Sequence, residues 1–285
     1  MKALVRHMRN LWQRRHLKRI AIDGLPEFTF ETHGPRDIYL SRSIHRDGFW
    51  EPGITGLLLK LLQSNADMID VGANIGWHSM VSAHRLAGRG QVHCFEPAPE
   101  HLRVLQANVH HSRLANVVVN GWALSDHAGT AQLNLAPDNL GDHRLGPARD
   151  GRRTVQVEVR RLDDYERIGD RPVVIKLDAQ GSEWHVLRGA EGLLADHARD
   201  VVLVCEVSPG LLAQSGSSLD DLVALLVAQR FAAALINQGT QRIEPIGWSR
   251  LAAHMRQVGE RSIDAAEDIV AFRRPDGLMR PLFNT

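Results

Sequence analysis

The stretch M-I-D-V-G-A-N-I-G-W, residues 68–77, starts as an apolar run, meets an acid at Asp70 and turns through Gly72 and Gly76. An apolar run that ends in a glycine turn reads as a buried strand feeding a helix, here predicted over 75–87. Strand, glycine turn and helix N-terminus together make an expected anion site of backbone N–H groups and helix dipole. Gly72 and Gly76 are expected to let the backbone approach a ligand.

The same pattern repeats on either side. Strand A-D-M-I-D-V (66–71) leads to that helix, and strand Q-V-H-C-F-E (91–96) leads to a helix over 99–110. Strand N-V-V-V-N-G-W-A-L (116–124) follows. P-V-V-I-K-L-D (172–178) leads to a helix over 182–195, and V-V-L-V-C-E-V (201–207) to one over 218–229. Two late strands, 231–237 and 267–273, bracket a helical S-R-L-A-A-H-M-R-Q-V. Apolar strands alternating with helices predict an α/β fold whose mostly parallel sheet has helices on both faces. Two alternating segments, 130–136 and 154–162, add an inserted β-hairpin. Upstream, Ile54–Leu62 reads as a helix entered past Pro52-Gly53, and 27–50 as short strands and turns. Ligands on such sheets lie at the carboxyl ends of the strands. Asp70, Glu96, Trp122, Ala123, Asp178 and Glu206 all fall at such ends.

The 285 residues carry a formal net charge of +1, which argues against a dedicated nucleic-acid binder. Residues 1–20 hold seven Lys and Arg and no acid, so the other 265 residues carry −6. No basic stripe interleaved with aromatics occurs in that acidic body. The two cysteines, Cys94 and Cys205, lie in apolar strand-like runs, which points to free thiols and a cytoplasmic setting. No apolar run approaches the length of a spanning helix, and no apolar segment follows the basic N-terminus as a secretory signal requires. No Cys/His cluster has structural-zinc spacing, and no metal is expected.

The turn D-V-G-A-N-I-G lacks the third glycine of a dinucleotide fingerprint, and Asp70 beside it would repel a pyrophosphate. An acid there suits a ligand with an ammonium group beside a carboxylate. S-adenosylmethionine has that end and carries no phosphate. Glu96, 20 residues after Gly76, is placed to accept ribose hydroxyls. Trp122 and Ala123 close the third strand, where an adenine ring would be covered by the indole and bound by the backbone.

Longer stretches resemble the FkbM-type branch of the class I S-adenosylmethionine-dependent methyltransferases. They are G-F-W-E-P (48–52), I-D-V-G-A-N-I-G (69–76), F-E-P (95–97) and A-L-S-D-H-A-G (123–129). N-L-G-D-H-R-L (139–145), L-D-D (162–164) and I-K-L-D-A-Q-G-S-E-W-H-V-L-R-G-A (175–190) continue the series. The resemblance implies a Rossmann-like sheet of seven strands, one antiparallel, in a methyltransferase domain over 48–285, with 1–47 as an N-terminal extension. It also implies a cofactor set of Asp70, Gly72, Asn74, Gly76, Glu96, Pro97, Trp122 and Ala123. The reaction implied is methyl transfer to a hydroxyl of a sugar, glycan or related natural product, with S-adenosylhomocysteine as by-product. In that sheet two strands would separate Cys94 from Cys205, too far to bond.

Two groups compete as general base. Asp178 ends the fourth strand, with Lys176 on the same strand face and Glu183 close by; the alternative is an internal Lys176–Asp178–Glu183 cluster that anchors the turn. His143 lies in the loop between the inserted strands, beside Arg144, which either binds an anion or pairs with Asp142. A non-catalytic protein that keeps the fold and a nicotinamide-dependent oxidoreductase are the competing readings. Residues 2–19 predict a helix with Leu4, Met8, Leu11 and Trp12 on one face and cations elsewhere. Such a helix either lies on an anionic membrane at its cytoplasmic face or packs on the domain. The oligomeric state is not encoded in any motif.

Overall fold

The computed structural model describes residues 16–63, 65–147, 151–237 and 242–283. An N-terminal hairpin of β1 (Leu17–Ile20) and β2 (Phe28–Glu31) is followed by helices α1 (Leu40–Asp47) and α2 (Pro52–Leu61). Then come β3 (Asp67–Val71), α3 (Trp77–Leu86), β4 (Val92–Phe95), α4 (Pro99–Ser112) and β5 (Val117–Asn120). The insertion holds β6 (Ala123–Leu124), β7 (Gly129–Leu135), β8 (Arg144–Leu145) and β9 (Arg153–Arg160). The second half runs β10 (Val173–Leu177), α5 (Glu183–Arg188), α6 (Glu191–Ala195), β11 (Val201–Val207), α7 (Pro209–Gln214) and α8 (Leu219–Ala228). It ends with β12 (Ala232–Asn237), β13 (Arg242–Ile246), α9 (Trp248–Gly259), β14 (Glu267–Phe272) and α10 (Arg280–Phe283).

Among the described residues the main sheet has eight strands, in the order β13-β12-β14-β11-β10-β3-β4-β5. The expected seven are joined by β13 at the edge. That strand contains Pro245, which an edge tolerates because a missing N–H costs no ladder bond. β14 runs antiparallel to β11 and β12, and β13 antiparallel to β12, so two strands oppose the rest where one was expected. The insertion is also larger than a hairpin. β7 and β9 pair antiparallel, and β6 and β8 flank them in a four-stranded sheet. The predicted strand 116–124 breaks into β5 and β6, and each joins a different sheet. The predicted helix 182–195 breaks at Gly189, where a Cβ would lie 1.9 Å from the Ser125 carbonyl oxygen.

Strand side chains alternate between two cores, as a sheet covered on both faces requires. Met68 and Val174 pack with α2, α3 and α4, whereas Ile69, Val71, Ile175 and Leu177 pack with the helices from α5 to α9. The period of two therefore sends Asp70 and Lys176, opposite each other in register, to the α2–α3 face.

The described part of the expected extension shares that first core. Ile20, Phe30 and Ile44 are fully buried in it. The Glu31 backbone and the Asn108 side chain exchange hydrogen bonds of 2.6 and 3.0 Å, tying β2 to α4. Residues 17–19, the end of the predicted basic helix, are strand: Lys18 and Arg19 pair with Phe30 and Thr29. Leu4, Met8, Leu11 and Trp12 lie outside the described residues. Cys94 and Cys205 are free and buried on β4 and β11, with β3 and β10 between them. Among the described residues no helix is long and apolar enough to cross a membrane.

Candidate active site

A cavity of about 310 Å³ opens at the carboxyl ends of β3, β4 and β10. Gly72, Asn74, Glu96, Pro97, Ala123, His143, Lys176 and Asp178 all border it. Asp70, Gly76, Trp122 and Glu183 do not border it.

The glycine turn is held by its own backbone. The N–H groups of Gly72 and Ala73 both donate to the Phe95 carbonyl, at 3.0 and 3.1 Å. Asn74 N–H donates to Glu96 Oε2 at 2.8 Å, and Gly76 N–H to the Ala73 carbonyl at 2.8 Å. These donors are spent inside the protein, so the expected anion cradle is not formed by them, and a pyrophosphate gains nothing from them. The glycines answer to packing. A Cβ on Gly72 (φ +73°) would lie 1.9 Å from the Asp178 carbonyl oxygen, and one on Gly76 (φ +87°) 2.3 Å from Leu105 Cδ1. Gly72 thus lets β3 close on the end of β10, and Gly76 seats α3 on α4.

Glu96 is 5% exposed and reaches the cavity. Its oxygens accept from Asn74 and Ala98 N–H at 2.8 Å each, and His101 Nδ1 lies 3.5 Å away. Burial pushes its pKa up, but His101 and the two backbone donors outweigh this and hold it below the ordinary value. A carboxylate kept ionised in a pocket is a strong acceptor for a pair of hydroxyls. The wall beside it is apolar, from Val71, Phe95, Ala123, Leu124, Leu133 and Leu140.

Asp178 stands at the end of β10. Lys176 Nζ donates to its Oδ2 at 3.1 Å. Gln180 Nε2 bridges Asp178 Oδ1 at 2.7 Å and Glu206 Oε2 at 3.0 Å. Burial opposes ionisation of Asp178, yet Lys176 and the bonds from Glu206 and Gln180 bring its pKa below the ordinary value. Asp178 then drives the Glu206 pKa the other way, together with burial, so of the two carboxyls Glu206 is the one that takes up a proton more readily.

Against this geometry, residues 70–233 match the family model of the FkbM methyltransferase domain. The chain belongs to the FkbM methyltransferase family. A curated relative, methyltransferase sdnD of Sordaria araneosa, is 29% identical over 192 residues, 56% of this chain and 74% of that protein. A solved FkbM methyltransferase from Methylobacillus flagellatus aligns at 18% identity and TM-score 0.46, covering 84% of this chain and 48% of that one. This chain therefore spans about half the length of that structure. An O-methyltransferase from Bacillus cereus, solved in complex with SAH, aligns at 16% identity and TM-score 0.44 over 82% of this chain and 86% of that one.

Several residues expected at the site of this FkbM-family enzyme have other work. Asp70 is 1% exposed and faces α3, where its Oδ2 accepts from Ser79 Oγ at 2.5 Å. Trp122 sits outside the cavity, with the Arg160 guanidinium 4.1 Å above its ring and Phe95 and Tyr165 at its edges. Its neighbours Ala123 and Leu124 reach the wall instead. Glu183 lies under the turn after β10, where Oε1 accepts from Ala179 and Gly181 N–H at 3.0 Å each. It anchors that turn and leaves the cavity to Asp178.

His143 borders the cavity but is not built as a base. Its Nδ1 accepts the Ala136 N–H at 3.1 Å, so the neutral ring carries its hydrogen on Nε2 and has no lone pair left for a proton. Burial, with His101 stacked on it at 4.5 Å, pulls its pKa down to about 4. Arg144 pairs with Asp142 at 2.5 Å, and Arg152 joins them at 2.8 Å. Among the described residues no group of three or more His, Cys, Asp or Glu is arranged to hold a metal ion.

Glu51, His78, His101 and Gln180 are among the cavity residues that the motif reading missed as site groups. Glu51 and Gln180 lie inside matched stretches, where position in a motif carries no sign of orientation. His78 and His101 are two of 15 histidines, and only the fold sets them apart.

Proposed function

We propose that the chain is an S-adenosylmethionine-dependent O-methyltransferase acting on a hydroxyl of a sugar, glycan or related natural product. One observation carries the reading: a single cavity holds an ionised buried carboxylate, Glu96, on one wall and an ionised acid, Asp178, on another. The residues present fit this cofactor. Glu96 suits the ribose hydroxyls, the apolar wall by Phe95 and Leu124 suits the adenine, and the excess of acids by Asp178 suits the cationic end. The spent N–H groups of the turn disfavour a dinucleotide.

S-adenosylmethionine, when bound, supplies an electrophilic methyl group on sulfur. The chain's own task is to orient the acceptor and take its proton. As the new C–O bond forms and the C–S bond breaks, the acceptor oxygen gains positive charge and its proton becomes acidic. Asp178 receives that proton, so a weakly basic carboxylate suffices. Lys176 and Gln180 keep it ionised and aimed. His143 offers the acceptor a hydrogen bond from Nε2. The test is methyl transfer from labelled S-adenosylmethionine to a panel of sugars, lipid-linked glycans and polyketide alcohols. Asp178→Asn is expected to lower turnover roughly 10²- to 10⁴-fold with an unchanged fold. Full turnover in that variant, or transfer only to amines or nucleic acid, contradicts the reading.

A further inference from the structure

Glu51 is the acid whose position the sequence explains least. Its backbone is left-handed, φ +43° and ψ +69°, directly before Pro52, a conformation that costs energy in a non-glycine residue. The neighbourhood fixes it there. Thr55 N–H donates to the Glu51 carbonyl at 2.9 Å, Thr55 Oγ1 donates to the Trp50 carbonyl at 2.9 Å, and the Trp77 indole N–H donates back to Thr55 Oγ1 at 3.0 Å. The strained residue turns its carboxyl to the cavity and to a hollow beside it that Lys176, Asp178, Glu206 and Asp268 also line.

A second observation points to a ligand at this place. His78 opens α3, borders the cavity and is 5% exposed, yet its Nε2 is buried without a hydrogen bond, 3.5 Å from Glu51 Oε2. Burial and the nearby Lys176 keep the ring neutral. Two polar groups thus face the cavity side by side. The groups around Glu51 are His78 on α3, Asp70 on β3, Lys176 and Asp178 on β10, Glu206 on β11 and Asp268 on β14. Lys176 is the single cation in that set of described residues.

We propose that Glu51, assisted by neutral His78, is the carboxyl that receives the cationic end of the cofactor, a role that the sequence motif assigns to Asp70. The proposal rests on S-adenosylmethionine as the cofactor. The strand period turns Asp70 away from the cavity, under α3, whereas Glu51 reaches the cavity from the start of α2. An ammonium donates to the Glu51 carboxylate and to a lone pair on His78 Nε2. The sulfonium is the other cation of the same ligand, and the two separate by experiment.

Charge follows binding. Burial first, and then Asp178, Asp268 and Asp70 against the pull of Lys176, push the Glu51 pKa up to about 8. The Glu51 side chain is still 38% exposed, which moderates the effect of burial, so the free protein holds the carboxyl partly protonated at neutral pH and a cation beside it favours the ionised form. The test is calorimetric titration of full-length protein with S-adenosylmethionine and with S-adenosylhomocysteine at pH 7, in buffers of different ionisation heat. Wild type should release a measurable fraction of a proton per ligand at pH 7, and the release should shrink as the pH rises through about 8, where Glu51 ionises unaided. Glu51→Gln should lower the release, leaving only what Glu206 contributes, and at pH 7, where the ligand's own amine is still charged, should weaken binding roughly tenfold. An equal loss for both ligands assigns the ammonium, and a loss confined to S-adenosylmethionine assigns the sulfonium. Asp70→Asn, unfolding cooperatively, should keep the release. Wild-type affinity and proton release in Glu51→Gln, or a release lost only in Asp70→Asn, overturns the role of Glu51. If wild type binds neither ligand, the cofactor assignment itself fails, and this proposal with it.

Discussion

Glu96 and His143 show how the same cavity wall sets opposite roles for neighbouring side chains. Glu96 is buried but surrounded by donors, so it stays ionised and can accept. His143 is half-buried beside another imidazole and accepts a backbone N–H, so it stays neutral and can only donate. Glu96→Ala should therefore weaken S-adenosylhomocysteine binding by roughly 10- to 100-fold in calorimetry, since a charge-assisted acceptor is lost. His143→Gln should leave the pH profile of turnover unchanged, because no essential proton passes through the ring. A new limb in that profile, or a loss as deep as that of Asp178→Asn, would restore His143 as the base.

Two turns aim the site, each held by one side chain or its absence. After β3, Gly72 admits the end of β10 at a distance no Cβ tolerates. Gly72→Ala should push the backbone of Asp178 outward and cost at least about 2 kcal/mol in denaturant unfolding, with ligand affinity reduced as well. After β10, Glu183 holds the N–H groups of Ala179 and Gly181 and is 2% exposed. Glu183→Ala should cost about 1–3 kcal/mol for each donor left without a partner. Burial raises the Glu183 pKa from 4.5 to about 7, so the neutral acid favours the folded state. Its contribution is fully present below pH 4.5, falls as the pH rises from there, and is gone above about 7. Glu183→Gln removes that titration, so the stability of wild type relative to this variant should decline across the same window. A flat difference from pH 4 to 8 would show that Glu183 does not titrate there.

The sheet was legible as a whole because its strands are apolar runs spaced by helices, and burial on both faces writes that pattern directly. The cofactor side was legible where a residue lies at a strand end with its side chain toward the cavity, as Glu96 does. It was not legible where facing depends on phase: Asp70 ends the same strand as Val71 and points the other way. Trp122 was misread because its partner, Arg160, is 38 residues away on β9. β13 hid behind Pro245, and α1 behind a polar run in which only Leu40, Ser41 and Ile44 are buried. Glu51 was hidden by a backbone conformation that sequence patterns do not report.

At the scale of the molecule, residues 16–47 are part of the folded body. Asp37, Tyr39 and Leu40 border the cavity, and Phe30 meets Trp77 edge-on at 5.5 Å. A protein truncated to start at Gly48 should lose several kcal/mol of stability from Ile20, Phe30 and Ile44 alone, and should not give a cooperative melt like that of the whole chain. The central claim, that one cavity at the strand ends is the cofactor site, is tested most directly by amide hydrogen exchange with and without S-adenosylhomocysteine. Protection should rise in residues 71–78, 95–101 and 139–145, which meet at that cavity, and in Glu96→Ala the same protection should need roughly 10- to 100-fold more ligand. Protection centred elsewhere, or unchanged exchange under conditions where NAD protects those same segments, would contradict it.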